Sequence, residues 1–287
     1  MHVPVLAHAT LDAMAIRPGG TYVDATFGAG GHAALILQAL GPAGRLVAFD
    51  LDPSAAEHAL DDPRFTLVRA NFRELTERLG ELGIASVDGV LFDLGVSSMQ
   101  LDEGERGFSF RTTAPLDMRM DPTSGTTAAD WLAQNDERTI ANAIYAYGEE
   151  RASRRIARAI VARREEGRPV RDTEELAALV ARVVPRTGRI HPATRTFQAL
   201  RIAVNDELGA LHAGLHAALE LTAIGGRIAA ISFHSLEDRI VKHTFRDDPR
   251  ALSLVRKPIV ADDDEVATNP RARSAKLRVA ERVEVAT

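Results

Sequence analysis

Short apolar runs and helical stretches alternate along the first hundred residues. Strand-like runs rich in β-branched and aromatic residues occupy 21–26, 45–50, 65–69 and 87–93, and segments with helix start signals separate them. Asp52 followed by Pro53 is one such signal, which predicts that Asp52 caps a helix. This alternation is typical of βαβ units, in which parallel strands are covered by helices. The pattern therefore predicts an α/β fold built on a doubly wound, Rossmann-like sheet.

The pattern changes at about residue 104. Strand-like runs stop, and helices are predicted at 126–135, 137–147, 149–164 and 173–184. A long amphipathic helix over 205–221 follows, and strands resume at 225–233, 253–260 and 276–285. We therefore expect a discontinuous α/β domain, 1–104 with 205–287, and an inserted all-helical domain, 105–204.

Composition places the chain among globular proteins. With 287 residues, 45% of them hydrophobic, it can bury a large core. Cysteine is absent, which excludes disulfides and thiolate metal sites. No apolar run approaches the roughly 20 residues that cross a bilayer. We expect a soluble, cytoplasmic protein without a membrane partner.

An arginine-rich stretch stands out against the net charge of −5. Residues 151–201 contain 13 Arg and 5 acidic residues, although the whole chain is acidic. Arg151, Arg154, Arg155 and Arg158 have near-helical spacing, so they are candidate contacts for RNA phosphates. A solvated helix face is the alternative. The segment 271–278 is a second basic strip.

A glycine turn follows the first predicted strand. Gly28, Gly30 and Ala33 satisfy the relaxed dinucleotide fingerprint, and Asp50 lies 22 residues after Gly28, where a ribose-binding acid is expected. A nicotinamide-dependent dehydrogenase is therefore one candidate class. Asp24 favours another ligand, because its carboxylate would repel a pyrophosphate and suits a ligand with an ammonium and a sulfonium. The alternative for Asp24 is a turn residue that accepts local N–H groups.

Two further strand ends carry candidate chemistry. Asp93 ends the run 87–93 and could accept the N–H protons of an exocyclic amine, which makes it the candidate catalytic residue. It could instead contact the cofactor or serve the turn. After the strand 225–233, His234 could bind a base or handle a proton, or it could satisfy local backbone groups. Ser235 and Asp238 have the spacing of a capping box.

The sequence predicts no metal site. Its histidines, including His2 and His8, lack a second ligand at useful spacing, and no H-E-x-x-H motif occurs.

Taken together, these segments resemble the bacterial ribosomal small-subunit RNA methyltransferases that methylate cytosine N4 near the decoding centre. The resemblance covers nearly the whole chain. Its motifs lie at 2–6, 24–32, 93–101, 106–110, 117–121, 147–150, RTFQALRIAVN at 195–205, FHSLED at 233–238 and SAKLR at 274–278. The family has a methyltransferase core with an inserted helical substrate domain.

The resemblance implies S-adenosylmethionine as cofactor and 16S ribosomal RNA, or the small subunit that contains it, as partner. The cofactor contacts that it implies are Gly30, Gly31, His32, Asp50, Phe72, Asp93 and Gln100. Phe72 would stack on the adenine; packing in the core is the alternative. The chain departs from the family at Met99, where proline is common. A non-catalytic ribosome-assembly protein that binds RNA remains a third interpretation. The sequence leaves the oligomeric state open, a homodimer included.

Overall fold

The computed structural model describes residues 4–96, 104–186 and 191–285. The chain forms two compact units, one from 1–95 and 208–287 and the other from 96–207. Each unit has its own apolar core. The chain thus leaves the first unit after Gly95 and returns to it at Leu208.

The first unit is built on a seven-stranded sheet with the order β3-β2-β1-β4-β5-β7-β6. The strands are β1 (Thr21–Asp24), β2 (Arg45–Asp50), β3 (Phe65–Arg69), β4 (Val87–Asp93), β5 (Thr222–Ser232), β6 (Ala251–Ser253) and β7 (Lys276–Arg282). The first five are parallel, whereas β7 lies antiparallel between β5 and β6. The predicted α/β class with a doubly wound sheet is confirmed.

Helices cover both faces of this sheet. In chain order the helices of the described residues are α1 (Ala7–Met14), α2 (Gly31–Ala39), α3 (Leu75–Glu81), α4 (Ala128–Gln134), α5 (Glu137–Gly148), α6 (Ser153–Glu165), α7 (Thr173–Val183), α8 (Thr194–Asn205), α9 (Glu207–Leu221), α10 (Ser235–Asp247) and α11 (Asp263–Thr268). One face buries Phe92 with residues of α3 and α9, and the other buries Leu91 with residues of α1 and α2. Since successive side chains of a strand point to opposite faces, the apolar middle of β4, Val90 to Phe92, is buried on both sides.

The second unit is helical in its described residues. Helices α4 to α8 pack around side chains such as Ile140, Ile156 and Leu176, all completely buried. Within the part of the chain that the structure describes, no helix is long and apolar enough to cross a membrane.

One predicted strand was wrong, and one helix was not predicted. The run 253–260 is not a strand, because only Ala251–Ser253 pairs with β7, and Ile259 adds a single bridge to Leu277. Pro258 explains the interruption, since proline cannot donate a hydrogen bond to a sheet. Helix α8 was not predicted. It begins after Ala193, whose side chain cannot cap a helix.

The strand order defines an edge at which ligands bind in open α/β sheets. Strand β1 pairs with β2 on one side and with β4 on the other, so the connections diverge here. Ligands occupy the crevice at the carboxyl ends of strands around such a switch point. Asp24, Asp50 and Asp93 are the last residues of β1, β2 and β4.

Candidate active site

The glycine turn joins β1 to α2 and adopts left-handed backbone conformations. Gly28 has φ +54° and Gly30, the N-cap of α2, has φ +77°. A Cβ on Gly30 would lie 2.9 Å from Cζ of Phe27. Both conformations disfavour L side chains, so glycine is needed here for backbone shape as well as for close approach to a ligand.

Gly31 is small for a different reason. A Cβ at this position would lie 3.3 Å from Cβ of Pro4, in the segment before α1. The structure therefore shows Pro4 packed over Gly31. The contact between Gly31 and cofactor, which the resemblance implies, stays a prediction.

Asp50 ties the end of β2 to the glycine turn. Its Oδ2 accepts a hydrogen bond from the Gly28 N–H at 2.7 Å, and its Oδ1 accepts one from the Asp52 N–H at 2.8 Å. Burial raises the pKa of Asp50 above its ordinary value, although these N–H groups oppose the shift. Each carboxylate oxygen can accept a second bond, so Asp50 can also receive the two hydroxyls of a ribose.

Asp52, two residues after Asp50, serves the turn, as the Asp-Pro pair predicted. Asp52 caps the 3₁₀ helix Pro53–His58, and its side chain accepts a hydrogen bond from the Ser54 N–H at 3.1 Å. With Pro53 at the first position of the helix, this is the structural role expected from the Asp-Pro pair.

Asp24 is almost completely buried, with 1% of its surface exposed. Its Oδ1 accepts a hydrogen bond from the Thr26 N–H at 3.1 Å, while Oδ2 has no hydrogen-bond partner among the described residues. Burial raises the pKa of Asp24 to about 6, and the charge of His32 opposes this rise. The turn role considered for Asp24 thus occupies only one of its oxygens.

Asp93 is fixed to the end of β1 through its backbone. Its N–H donates to Oγ1 of Thr26 at 2.6 Å. In the side chain, Oδ1 is buried without a hydrogen-bond partner among the described residues, and Oδ2 lies 3.5 Å from Nε2 of His32. The carboxylate is therefore held in place while part of its hydrogen-bonding capacity is unused.

His32 lies in the first turn of α2 and is 6% exposed. The 3.5 Å contact with Asp93 is within ion-pair range but longer than a strong charge-assisted hydrogen bond. Burial lowers the pKa of His32, whereas the contact with Asp93 and the charge of Asp24 raise it. The raising effects are larger, so the pKa lies above its ordinary value. The structure therefore brings His32, Asp24 and Asp93 together as one electrostatically coupled group.

Phe72 packs at the edge of the core. It begins the 3₁₀ helix Phe72–Glu74 after β3, and its ring meets that of Phe92 edge to face, with centroids 5.6 Å apart. A Cβ on Gly214 of α9 would lie 2.6 Å from Cδ2 of Phe72. The half-buried ring thus has the packing role that the sequence allowed, and its stacking on adenine stays a prediction.

The turn after β5 is capped by a different pair from the one predicted. His234 is the N-cap of α10, and its imidazole accepts a hydrogen bond from the Glu237 N–H at 3.4 Å. The Glu237 carboxylate in turn accepts from the Phe233 and His234 N–H groups at 2.8 and 3.2 Å. The structure thus gives His234 the backbone role that the sequence left open, and its predicted contact with RNA is still untested.

Asp238 pairs with two cations of β7. It accepts a hydrogen bond from Nε of Arg278 at 2.7 Å and lies 3.3 Å from Nζ of Lys276. Arg278 is 7% exposed. The predicted basic strip at 271–278 therefore does not present these two cations as a free surface.

The four arginines predicted to contact RNA lie in the second unit. Arg151 precedes α6, whereas Arg154, Arg155 and Arg158 belong to it, and all four side chains are exposed. Arg158 makes a loose contact of 3.7 Å with Glu137. Gln100 and Met99 lie outside the described residues.

Thr26 is a site residue that the sequence did not single out. Its hydroxyl accepts from Asp93 and its N–H donates to Asp24, so it links the ends of β1 and β4. The signal was a hydroxyl residue two positions after an acid at a strand end. Its meaning depends on β1 and β4 being neighbours, which the sequence alone did not establish.

The fold and the site together define a class: a doubly wound α/β enzyme that places acidic side chains around a nucleoside crevice at the switch point. The order 3-2-1-4-5-6 of dinucleotide-binding sheets is extended here by an antiparallel strand between β5 and β6. The chain belongs to the MraW methylase family, whose model matches residues 1–283.

The chain is similar in sequence to curated proteins over almost their whole length. The chain is 53% identical over 305 aligned positions to a protein from Methylibium petroleiphilum, covering 99% of this chain and 96% of that protein. It is 54% identical over 303 positions to a protein from Thiobacillus denitrificans, covering 98% and 97%. Both are named ribosomal RNA small subunit methyltransferase H. Among solved structures, an rRNA methylase from Streptococcus thermophilus matches with TM-score 0.47 and 11% identity, covering 99% of this chain and all of that one.

The residues present fit S-adenosylmethionine, the cofactor of methylases in this class. Asp24 Oδ2, His32 Nε2 and Asp93 Oδ1 are buried and have no hydrogen-bond partner among the described residues. Buried polar atoms are normally paired, so a cluster of unpaired ones at a ligand crevice is best explained by a ligand. The carboxylates suit an ammonium, a sulfonium and a ribose diol, whereas a pyrophosphate would be repelled.

Proposed function

We propose that this methylase transfers a methyl group from S-adenosylmethionine to the N4 amine of one cytosine in 16S ribosomal RNA, near the decoding centre. The cluster of unpaired acidic atoms at the switch point, in a chain of the MraW family, is the observation that carries the proposal. The names of the curated relatives support the class of RNA, and the motif resemblance supports the choice of amine.

The first unit is assigned to the cofactor. Asp50 accepts the ribose hydroxyls, the turn from Gly28 to His32 lies against the methionine end, and Phe72 stacks on the adenine. Asp24 stabilises the positive charge of the cofactor's sulfonium and ammonium, and its burial strengthens this interaction because the surroundings have a low dielectric constant. When bound, the cofactor supplies a methyl group on a sulfonium, whose leaving group is a neutral thioether. Gln100 completes the predicted set.

Asp93 is assigned to the reacting amine. The lone pair of a cytosine amine is delocalised into the ring, so the amine is a poor nucleophile. A carboxylate that accepts its N–H bonds favours the pyramidal form, in which the lone pair is available. The Asp93 oxygen without a partner can make this bond, and its anchored backbone fixes the position. Alignment of this kind is the main contribution that an enzyme can make to methyl transfer.

The second unit is assigned to RNA recognition. Arg151, Arg154, Arg155 and Arg158 are exposed cations that can contact phosphates. His234 is the remaining predicted RNA contact. We place the boundaries of the two functional domains at 104 and 204, as the sequence predicts. The proposed substrate also places the enzyme in the cytoplasm, where the small subunit is its partner.

Mapping modified nucleotides tests this function. Small subunits from a strain that lacks the enzyme are incubated with purified protein and labelled cofactor, and the RNA is digested and analysed by mass spectrometry. We expect one N4-methylated cytosine, with Asp93→Ala reducing the rate at least about 100-fold, as loss of a positioned acid–base or acceptor group does. Absence of label in subunits, assembly intermediates and free RNA would reject the substrate.

Two comparisons address the other interpretations. Adenosylhomocysteine should raise the melting temperature of the protein and NADH should not, since a ligand stabilises only the form that binds it. A stabilising effect of NADH alone would support a dehydrogenase. Full methylation by Asp93→Ala would remove Asp93 from the reaction, and RNA binding without any transfer would support an assembly protein.

A further inference from the structure

His32 supplies a countercharge to Asp24. Asp24 receives charge interactions from His32, Asp93 and Asp50, and of these only that of His32 is favourable to its ionised form. His32 receives favourable interactions from Asp93 and Asp24. These groups lie on α2, β1, β2 and β4, the elements that meet at the carboxyl edge of the sheet.

The charges of this group depend on one another. Asp24 and Asp93 end adjacent parallel strands, and like charges that lie close together in a buried site favour uptake of a proton. A protonated imidazole that lies 3.5 Å from Asp93 and is 6% exposed offsets this repulsion. A neutral imidazole would leave Asp24 and Asp93 without this countercharge.

The ionisation of Asp93 matters for the proposed reaction. A carboxylate can only accept hydrogen bonds, whereas a carboxylic acid also donates one and is a weaker acceptor. The exposed fraction of the Asp93 side chain is 26%, against 6% for His32. The carboxylate can therefore meet a substrate while the imidazole behind it stays shielded from water.

We propose that His32 is a positioning residue, held as an imidazolium that pairs with Asp93 and offsets the charge of Asp24, and that it orients Asp93 as the acceptor for the amine. The role goes beyond a contact with the cofactor. The positioning role rests on the proposed methyl transfer. The charge arrangement does not, because it is a property of the protein without ligands.

Nuclear magnetic resonance of the full chain without cofactor tests the charge arrangement. The ¹⁵N shifts of the imidazoles distinguish the imidazolium from both neutral tautomers, His32→Gln identifies the signal, and exposed His8 serves as an internal reference. We expect the titration midpoint of His32 to lie above the ordinary value of about 6.5 for histidine. Asp93→Asn should lower this midpoint by about one pH unit or more, a tenfold change in proton affinity. A midpoint at or below the ordinary value, or one unmoved by Asp93→Asn, would overturn the proposal.

The pH dependence of single-turnover methylation tests the consequence. With cofactor saturating, His32→Gln should lose about tenfold more activity at pH 6 than at pH 8.5, because the two acids then share a proton more readily. His8→Gln, a change of an exposed histidine on α1, is the matched control and should keep the wild-type profile. A loss by His32→Gln of the same factor at both pH values would show a merely structural role and reject the proposal.

Two measurements distinguish the proposed role of His32 from a defect in cofactor binding and from a defect in folding. Adenosylhomocysteine affinity of His32→Gln is measured at both pH values, so that a binding defect is divided out. If His32→Gln does not fold, the titration of His32 in Asp93→Asn and Asp24→Asn still decides the charge arrangement. A wild-type protein that methylates no ribosomal RNA would reject the proposed function, whereas the resonance titration would still confirm or overturn the imidazolium.

Discussion

The backbone N–H of Asp93 donates to the hydroxyl of Thr26 across the ends of two adjacent strands, at 2.6 Å. The Thr26 N–H donates in turn to the carboxylate of Asp24. Through its hydroxyl and its backbone N–H, Thr26 therefore fixes the relative position of the two acids at the switch point. Loss of the hydroxyl should affect both the reaction and the stability of the fold.

Thr26→Val tests this link. Valine has the same shape but cannot accept a hydrogen bond, so the Asp93 N–H loses its partner, at a cost of about 1–3 kcal/mol in the free energy of unfolding. We expect the methylation rate to fall roughly tenfold or more, since small displacements of an aligned group have large effects on rate. Thr26→Ser keeps the hydroxyl and should stay near wild type in both measurements. Equal behaviour of the two variants would show that the bond is unimportant.

Gly214→Ala tests the placement of Phe72. A methyl group would lie 2.6 Å from Cδ2 of Phe72 and 3.2 Å from Cε1 of Phe92. Overpacking of this kind costs about 1–3 kcal/mol, and the better helix propensity of alanine offsets about 1 kcal/mol of it. We expect chemical denaturation to show a net loss of up to about 2 kcal/mol. Affinity for adenosylhomocysteine should also fall, because the ring of Phe72 must move.

The control for this prediction is a double-mutant cycle. In the background of Phe72→Ala the contact with Phe72 is absent and only the longer contact with Phe92 remains, so Gly214→Ala should be much less destabilising. The same destabilisation in both backgrounds would contradict the contact.

Some of the site could be predicted from the sequence because strongly local signals define it. Strands β2, β3 and β4 have the predicted bounds. Buried parallel strands read as continuous apolar runs, and the acids that end β2 and β4 mark where each run reaches the edge of the sheet. The cap role of Asp52 followed from the Asp-Pro pair, a rule of local backbone geometry.

What the sequence could not predict depends on side chains that are distant or unusual. Histidine is not among the preferred N-cap residues, so propensity pointed to Ser235 and Asp238, one position beyond the observed pair. Asp238 is instead paired with Arg278, which lies 40 residues further along the chain. The coupling of His32 to Asp93 likewise requires the pairing of β1 with β4.

Asp24→Asn tests the energetic cost of the buried acid. The pKa of Asp24 in the folded protein is about 6, raised by burial from 3.8. Between these values the folded state binds more protons than the unfolded state, so stability falls as pH rises from about 4 to about 6. The full effect is roughly 3 kcal/mol, since each pH unit of the difference corresponds to about 1.4 kcal/mol. His32 acts in the same direction, because its raised pKa gives stability that is lost at higher pH.

The measurement is urea unfolding of both proteins at several pH values. Asparagine has no charge to bury, so Asp24→Asn should lose less stability than wild type between pH 4 and pH 7 and should be the more stable protein at pH 7. It should also bind the cofactor more weakly, an exchange of stability for function that is common at ligand sites. Equal changes of stability in the two proteins over this pH range would contradict the burial of a titrating Asp24.

The salt dependence of RNA binding tests the arginine face of α6. Each phosphate contact that is lost lowers the slope of log affinity against log salt by about 0.7–0.9. We therefore expect Arg154→Gln with Arg155→Gln to lower the slope by about 1.5, with little change in stability, since both side chains are exposed. Arg246→Gln, which changes an exposed arginine on α10, is the matched control and should leave the slope unchanged. If the control lowered the slope as much as the α6 variant, the effect would reflect overall charge, and α6 would be an ordinary solvated helix face.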